Sequence, residues 1–165
     1  MFSQGKYLTK EGDVSFFSHS LVEDITADNH QVLSIIDTET GEIAIQLLMK
    51  SFLFKKALMQ EHFNENYVES HKYPKAKFKG KILNYNEVIE GVNEVQIEGV
   101  LTVHGIDKEV STVAVLEFRD GKILLSGEFM VNVADFKIKI PSVVINNIAK
   151  TIKVNFELTH KPYKK

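Results

Sequence analysis

Residues 75–82 alternate without a break: Lys75, Lys77, Lys79 and Lys81 fall on one face, and Ala76, Phe78, Gly80 and Ile82 on the other. Successive side chains of a strand point to opposite sides of its sheet, so this segment can bury one face and wet the other only as a β-strand. The same period of two runs through much of the chain. Ile152, Val154, Phe156 and Leu158 alternate with Lys153, Asn155, Glu157 and Thr159. Val95, Ile97, Gly99, Leu101 and Val103 alternate with Glu94, Gln96, Glu98, Val100 and Thr102. Ile123, Leu125, Gly127, Phe129, Val131 and Val133 make a further apolar face. Residues 12–19, 30–37, 42–54 and 109–118 complete a set of roughly eight strands.

Short turn signals separate them. Thr40-Gly41, Glu90-Gly91-Val92-Asn93 and His104-Gly105-Ile106-Asp107 mark reversals, and Arg119-Asp120-Gly121-Lys122 reads as a hairpin with Asp-Gly at its centre. Connections this short join antiparallel neighbours, because a parallel crossover needs a dozen or more residues. One helix is expected, over 55–67, with Leu58, Met59, His62, Phe63, Asn66 and Tyr67 on one face. Pro74 comes after it and opens the lysine-striped strand. Near Lys50-Ser51 the apolar register changes phase, which predicts a bulge or rim where the strand gives way to the helix. The expected fold is all-β: an eight-stranded antiparallel barrel in preference to a sandwich, because each clear strand has a polar face and closure removes the sheet edges. The whole chain, 1–165, reads as a single domain.

Composition narrows the chemistry. Twenty basic and 22 acidic residues leave a net charge of −2, without the basic field that non-specific nucleic-acid binders use. No cysteine is present, so disulfides, thiolate metal sites and a Cys nucleophile are excluded. No run of about 18 apolar residues could form a spanning helix. The six histidines show no His-Glu-x-x-His spacing; His62, Glu65, Glu69 and His71 are close in sequence but do not form a metal motif. Neither a metal nor another cofactor is expected, and no catalytic residue is assigned.

An eight-stranded barrel is just wide enough to be filled by side chains or to hold one small ligand. Gly80, Gly99 and Gly127 lie in the apolar register, either as bend points or as places where missing side chains leave space. Phe52, Phe54, Leu58 and Phe63 would then gate the mouth of a lumen whose wall includes Phe16, Leu47, Met49, Phe78, Ile82, Ile97, Leu101, Phe129 and Val131. The lysine stripe reads as a solvated outer face paired with Glu94, Glu98 or Glu128; only Lys50, Lys55 or Lys56 could meet an anionic head group.

Three pieces of sequence, in order, resemble the YceI-like family. They are Leu58-Met59-Gln60-Glu61-His62-Phe63 with Ser70-His71-Lys72-Tyr73-Pro74-Lys75-Ala76-Lys77-Phe78 after it, then Gly99-Val100-Leu101-Thr102-Val103-His104-Gly105, and Gly12-Asp13-Val14-Ser15-Phe16 as a matching first strand. The resemblance implies a lipocalin-like barrel holding a long polyisoprenoid or quinone-like lipid, as a carrier or store without enzymatic activity. It also implies a periplasmic or secreted protein, with residues 1–4 a tag or the remnant of an export signal. Where family members often carry Arg-Asp before the His-Phe pair, this chain has Gln60-Glu61. Transient membrane contact and a dimer are compatible with this reading. Two other classes compete: an isomerase- or cyclase-like enzyme acting on a lipid at the barrel mouth, which needs a His or carboxylate facing the lumen, and a filled barrel serving as an interaction module.

Overall fold

The strand alternation closes on itself. A computed structural model describes residues 5–19, 24–138 and 151–163. Its strands are β1 (Lys6–Ser18), β2 (Ile25–Asp37), β3 (Glu42–Leu48), β4 (Leu53–Phe54), β5 (Lys75–Leu83), β6 (Gly91–Val103), β7 (Ile106–Arg119), β8 (Lys122–Asn132) and β9 (Thr151–Pro162). The eight long strands neighbour one another in the order β1-β9-β8-β7-β6-β5-β3-β2, and β2 pairs back onto β1 to seal an antiparallel barrel. The two-residue β4 adds to β2 at the rim. The expectation for residues 1–4 lies outside the described residues.

Two hairpins form where the turn signals stood. His104 and Gly105 between β6 and β7, and Asp120 and Gly121 between β7 and β8, all have positive φ, the mirror-image turn whose twist suits antiparallel strands. The predicted strand over 42–54 is instead split. A 3-10 turn at Met49–Ser51 separates β3 from β4, at the phase change seen in the sequence. β1 and β2 begin earlier than their alternation suggests. Register shifts on either side of Gly12 displace the phase of β1, and β2 turns Asn29 and Ser34 inward, fully buried, where an apolar pattern would be sought.

Helix α1 (Ala57–His62) continues as a π-helical turn over Phe63–Tyr67, matching the expected 55–67 segment. The surplus residue in a π turn shifts the helical phase. Leu58, in the first turn of α1, is 63% exposed, while Met59, Phe63 and Tyr67 face inward.

The glycines in the apolar register are bend points, but their space is taken. Gly80 and Gly99 are directly opposite one another, and a Cβ on Gly99 would collide with the Lys79 carbonyl oxygen and lie 2.7 Å from Cζ of Phe78. The Phe78 ring thus lies along the wall over the glycine pair. Phe156 does the same over Gly127, its partner across β8 and β9. The lysine stripe of β5 is exposed as expected; Lys81 stands between Glu42 and Glu98, whereas Glu128 pairs with Lys153 at 3.7 Å.

One barrel end is packed solid. Tyr7, Ile36, Ile82, Leu116, Ile123 and Leu158 are all but fully buried there, with Phe118 edge-on to Tyr7 at 6.2 Å. His160 is buried among them. Its Nδ1–H donates to the Ile123 carbonyl (3.0 Å), leaving Nε2 to accept from the Ser34 hydroxyl (2.7 Å). Burial pushes its pKa down to about 4, partly offset by the backbone hydrogen bonds.

This packing can be tested at both a glycine and a histidine. Gly99→Ala should cost about 1–3 kcal/mol in urea unfolding, because backbone, not a flexible side-chain tip, must move; an unchanged midpoint would contradict the close approach. Because folding lowers the His160 pKa, stability should be full above pH 6.5, decline as acid protonates the unfolded chain first, and reach a loss of about 3 kcal/mol by pH 4. Comparison of unfolding curves from pH 7 to 4 with those of His160→Gln should show that component removed.

Candidate functional site

Above the packed end the barrel is hollow. The cavity has a volume of about 180 Å³. It runs from Ile43, Ile97 and Leu125 at its floor to Val103, Val131 and Ile152 near the rim. Apart from Lys77 and Thr112, every described residue of its wall is apolar. Thr112 gives its hydroxyl to the Glu128 carbonyl (3.2 Å). Among the described residues of the wall there is no His, Asp or Glu. The described residues leave this part of the barrel unfilled.

Ten of the sequence-predicted residues line this lumen: Phe16, Leu47, Met49, Phe52, Phe63, Phe78, Ile97, Leu101, Phe129 and Val131. Three do not. Ile82 shares their register but sits in the packed end, 1% exposed. Phe54 borders a second, smaller apolar space, and Leu58 points to solvent. The sequence reading passes over Val14, Val110, Val154 and Phe156, whose alternation places them inward. It also leaves out Val133, the end of the apolar register of 123–133, and misses Val68, Phe136 and Ile138, which reach the lumen from turns after the π turn and β8, where no periodicity applies.

The second space, about 60 Å³, lies at the mouth between Ile25, Phe54, Met59 and Tyr67. Phe16 and Phe63 line both spaces, with rings stacked at 5.5 Å and 29°. Phe52 and Phe54 each meet Phe16 edge-on, at 5.2 and 5.7 Å. Four aromatic rings thus separate lumen from vestibule. Sequence alone brings three of the four together; Phe16 joins because β1 runs beside β2, to which β4 is paired. Burial pushes the Tyr67 phenol up in the same vestibule.

The rim is fastened on the opposite side by His104. Its Nδ1–H donates to the Phe136 carbonyl (2.9 Å), Nε2 lies 3.6 Å from Glu69, and Tyr73 packs edge-on at 4.8 Å. These contacts tie the β6–β7 hairpin to the turn after β8 and to the loop after the π turn. His62 and His71 belong to no such cluster, and among the described residues no three His, Cys, Asp or Glu converge as metal ligands. His30 is on the outer wall, its pKa raised by the hydrogen bond to Asp13.

The YceI-like domain profile matches residues 7–160, nearly the full length. The chain belongs to the YceI-like family. Its barrel superposes on a polyisoprenoid binding domain from Saccharophagus degradans implicated in plant cell wall breakdown, with a TM-score of 0.83 at 15% identity, over 98% of this chain and 100% of that one. Burkholderia cenocepacia BcnA aligns with a TM-score of 0.76 at 16% identity, covering 90% and 95%. A Campylobacter jejuni YCEI protein, in a mutant form with a monobromobimane guest, gives 0.68 at 18% identity, covering 89% and 90%. At such identities the YceI-like chain and these structures share a fold. No curated protein matches it.

If the aromatic cluster closes the lumen, removing one ring should open it. Phe63→Ala is expected to speed release of a preloaded apolar fluorophore such as N-phenyl-1-naphthylamine by roughly tenfold in stopped-flow dilution. Equal release rates in the two proteins would show that exit runs elsewhere.

Proposed function

We propose that this YceI-like barrel binds a long apolar lipid, of polyisoprenoid or quinone-like structure, in its lumen and serves as a carrier or store for it. The observation that carries the reading is the long hollow with a nearly all-carbon wall, open at one end. Such a wall offers an oily chain what water cannot, and offers a polar substrate nothing to bond. At about 0.3 kcal/mol per heavy atom, a guest of about 30 carbons gains about 9 kcal/mol, equivalent to sub-micromolar binding with no specific hydrogen bond. A site of this kind selects for length and apolarity. The polyisoprenoid binding of the similar Saccharophagus degradans domain supports the same class of guest. We extend the proposal to a periplasmic or secreted setting, where water separates lipid donor from acceptor; fractionation of the producing cells tests that extension.

Native mass spectrometry of gently purified protein should show a co-purified lipid as added mass. Leu101→Arg and Phe129→Arg each place a charge in the lumen and should reduce retained lipid by about tenfold or more, with far-UV circular dichroism unchanged. Lipid-free spectra for the wild type, or full retention in both folded variants, would overturn the reading.

A further inference from the structure

The outer side of the mouth has a composition that the lumen does not require. Between residues 48 and 58 the chain carries three lysines and no acidic residue. In the same stretch Leu48, Leu53 and Leu58 are 47%, 55% and 63% exposed, while their neighbours Met49, Phe52 and Phe54 turn inward. Lys50, Lys55 and Lys56 are exposed among these leucines, and Lys50 and Lys55 have no ion-pair partner among the described residues. Scattered exposed leucines need no explanation. Three within one short segment at the rim of an apolar cavity, interleaved with cations, do.

The other charges around the mouth are consistent with the same purpose. Asp24 is bonded to His19 (2.7 Å), Glu69 lies 3.7 Å from Lys72, and Asp135 lies 4.0 Å from Lys108. These three carboxylates have cationic or cationisable neighbours, whereas the lysines of 48–58 are exposed. Asp28, opposite Leu53 across the β2–β4 pair, and Glu61 on α1 are the acidic groups nearest the collar.

We infer that this collar, from the end of β3 through β4 to the first turn of α1, docks the barrel mouth onto an anionic phospholipid surface, with Leu53 and Leu58 entering the interface and Lys50 and Lys55 lying among the head groups. Exposed leucines beside lysines are the combination that holds a surface-bound segment at a bilayer: apolar area enters the acyl boundary, and cations meet the negative surface. The inference deepens the lipid-carrier reading by saying where the guest is exchanged. Docked in this way, the vestibule opens against the membrane and an oily chain passes between bilayer and lumen without crossing water.

Vesicle sedimentation with the full chain tests this. Wild-type protein should bind vesicles of equal parts phosphatidylglycerol and phosphatidylcholine, bind pure phosphatidylcholine vesicles far less, and be released by about 1 M salt, where charges are screened beyond about 3 Å. Leu53→Glu/Leu58→Glu and Lys50→Glu/Lys55→Glu should each weaken partitioning by about tenfold or more, while Lys79→Glu/Lys81→Glu on the outer wall leaves it nearly unchanged. The chain has no cysteine, so a polarity-sensitive dye on Leu58→Cys offers a second measurement that needs no disrupted collar. Its emission should shift to the blue on anionic vesicles, and that of the same dye on Lys81→Cys should not. No vesicle binding, binding lost only with the wall lysines, or a solution dimer dissolved by the leucine variant would each overturn the inference. Lipid retention by mass spectrometry separates the two readings: a barrel that keeps its lipid but ignores vesicles defeats only docking, and one that docks without lipid defeats only the carrier reading.

Discussion

Closure of an eight-stranded sheet fixes the circumference of its wall, and everything inside must then fit a set diameter. At the end that holds Tyr7, Ile36, Leu116 and Phe118, large side chains meet across the axis and fill it. Toward the mouth the wall carries equally large residues, yet the axis stays open. The difference is where the rings go. Phe78 folds onto the bare backbone of Gly80 and Gly99, and Phe156 onto Gly127, so aromatic bulk is stored against the wall and not across the lumen. The glycines therefore serve both roles that the sequence allows. They let two strands approach closely, and they keep the interior hollow by giving neighbouring rings a place to lie.

The polar groups inside this apolar shell are few and mostly bonded locally. Asn29 donates to the Leu48 carbonyl (3.1 Å) and accepts from the Gln31 N–H (2.9 Å), fixing β2 to the point where β3 ends and the rim begins. His160 and Ser34 satisfy each other beneath the floor. Each of these groups is buried away from the lumen proper. A guest therefore meets carbon, while the polar work of holding the barrel's ends is done elsewhere.

Legibility in the sequence depends on whether a residue's role comes from alternation. β5 is fully legible, since all eight residues from Lys75 to Ile82 obey the period of two. The early halves of β1 and β2 are hidden, because the irregularity at Gly12 breaks phase and inward Asn29 looks like a surface residue. Ile82 shows a different limit: alternation tells which face a side chain takes but not how far along the axis it lies, so floor and wall look alike. Leu58 misleads because ordinary helical spacing groups it with Met59 and Phe63, and that spacing does not say where the edge of the buried face falls. The vestibule is out of reach altogether, since it depends on β1 meeting β4 through β2, a relation of topology.

The π turn after α1 separates two rates of change. A π-helical turn holds one residue more than an α-helix would, and gaining or losing that surplus rotates the downstream side chains by about 100°. Phe63 and Tyr67 sit at its two ends. Descendants of this chain could therefore re-aim their entrance aromatics by local insertion or deletion without repairing any strand register, leaving the container intact while the doorway evolves to suit a new cargo.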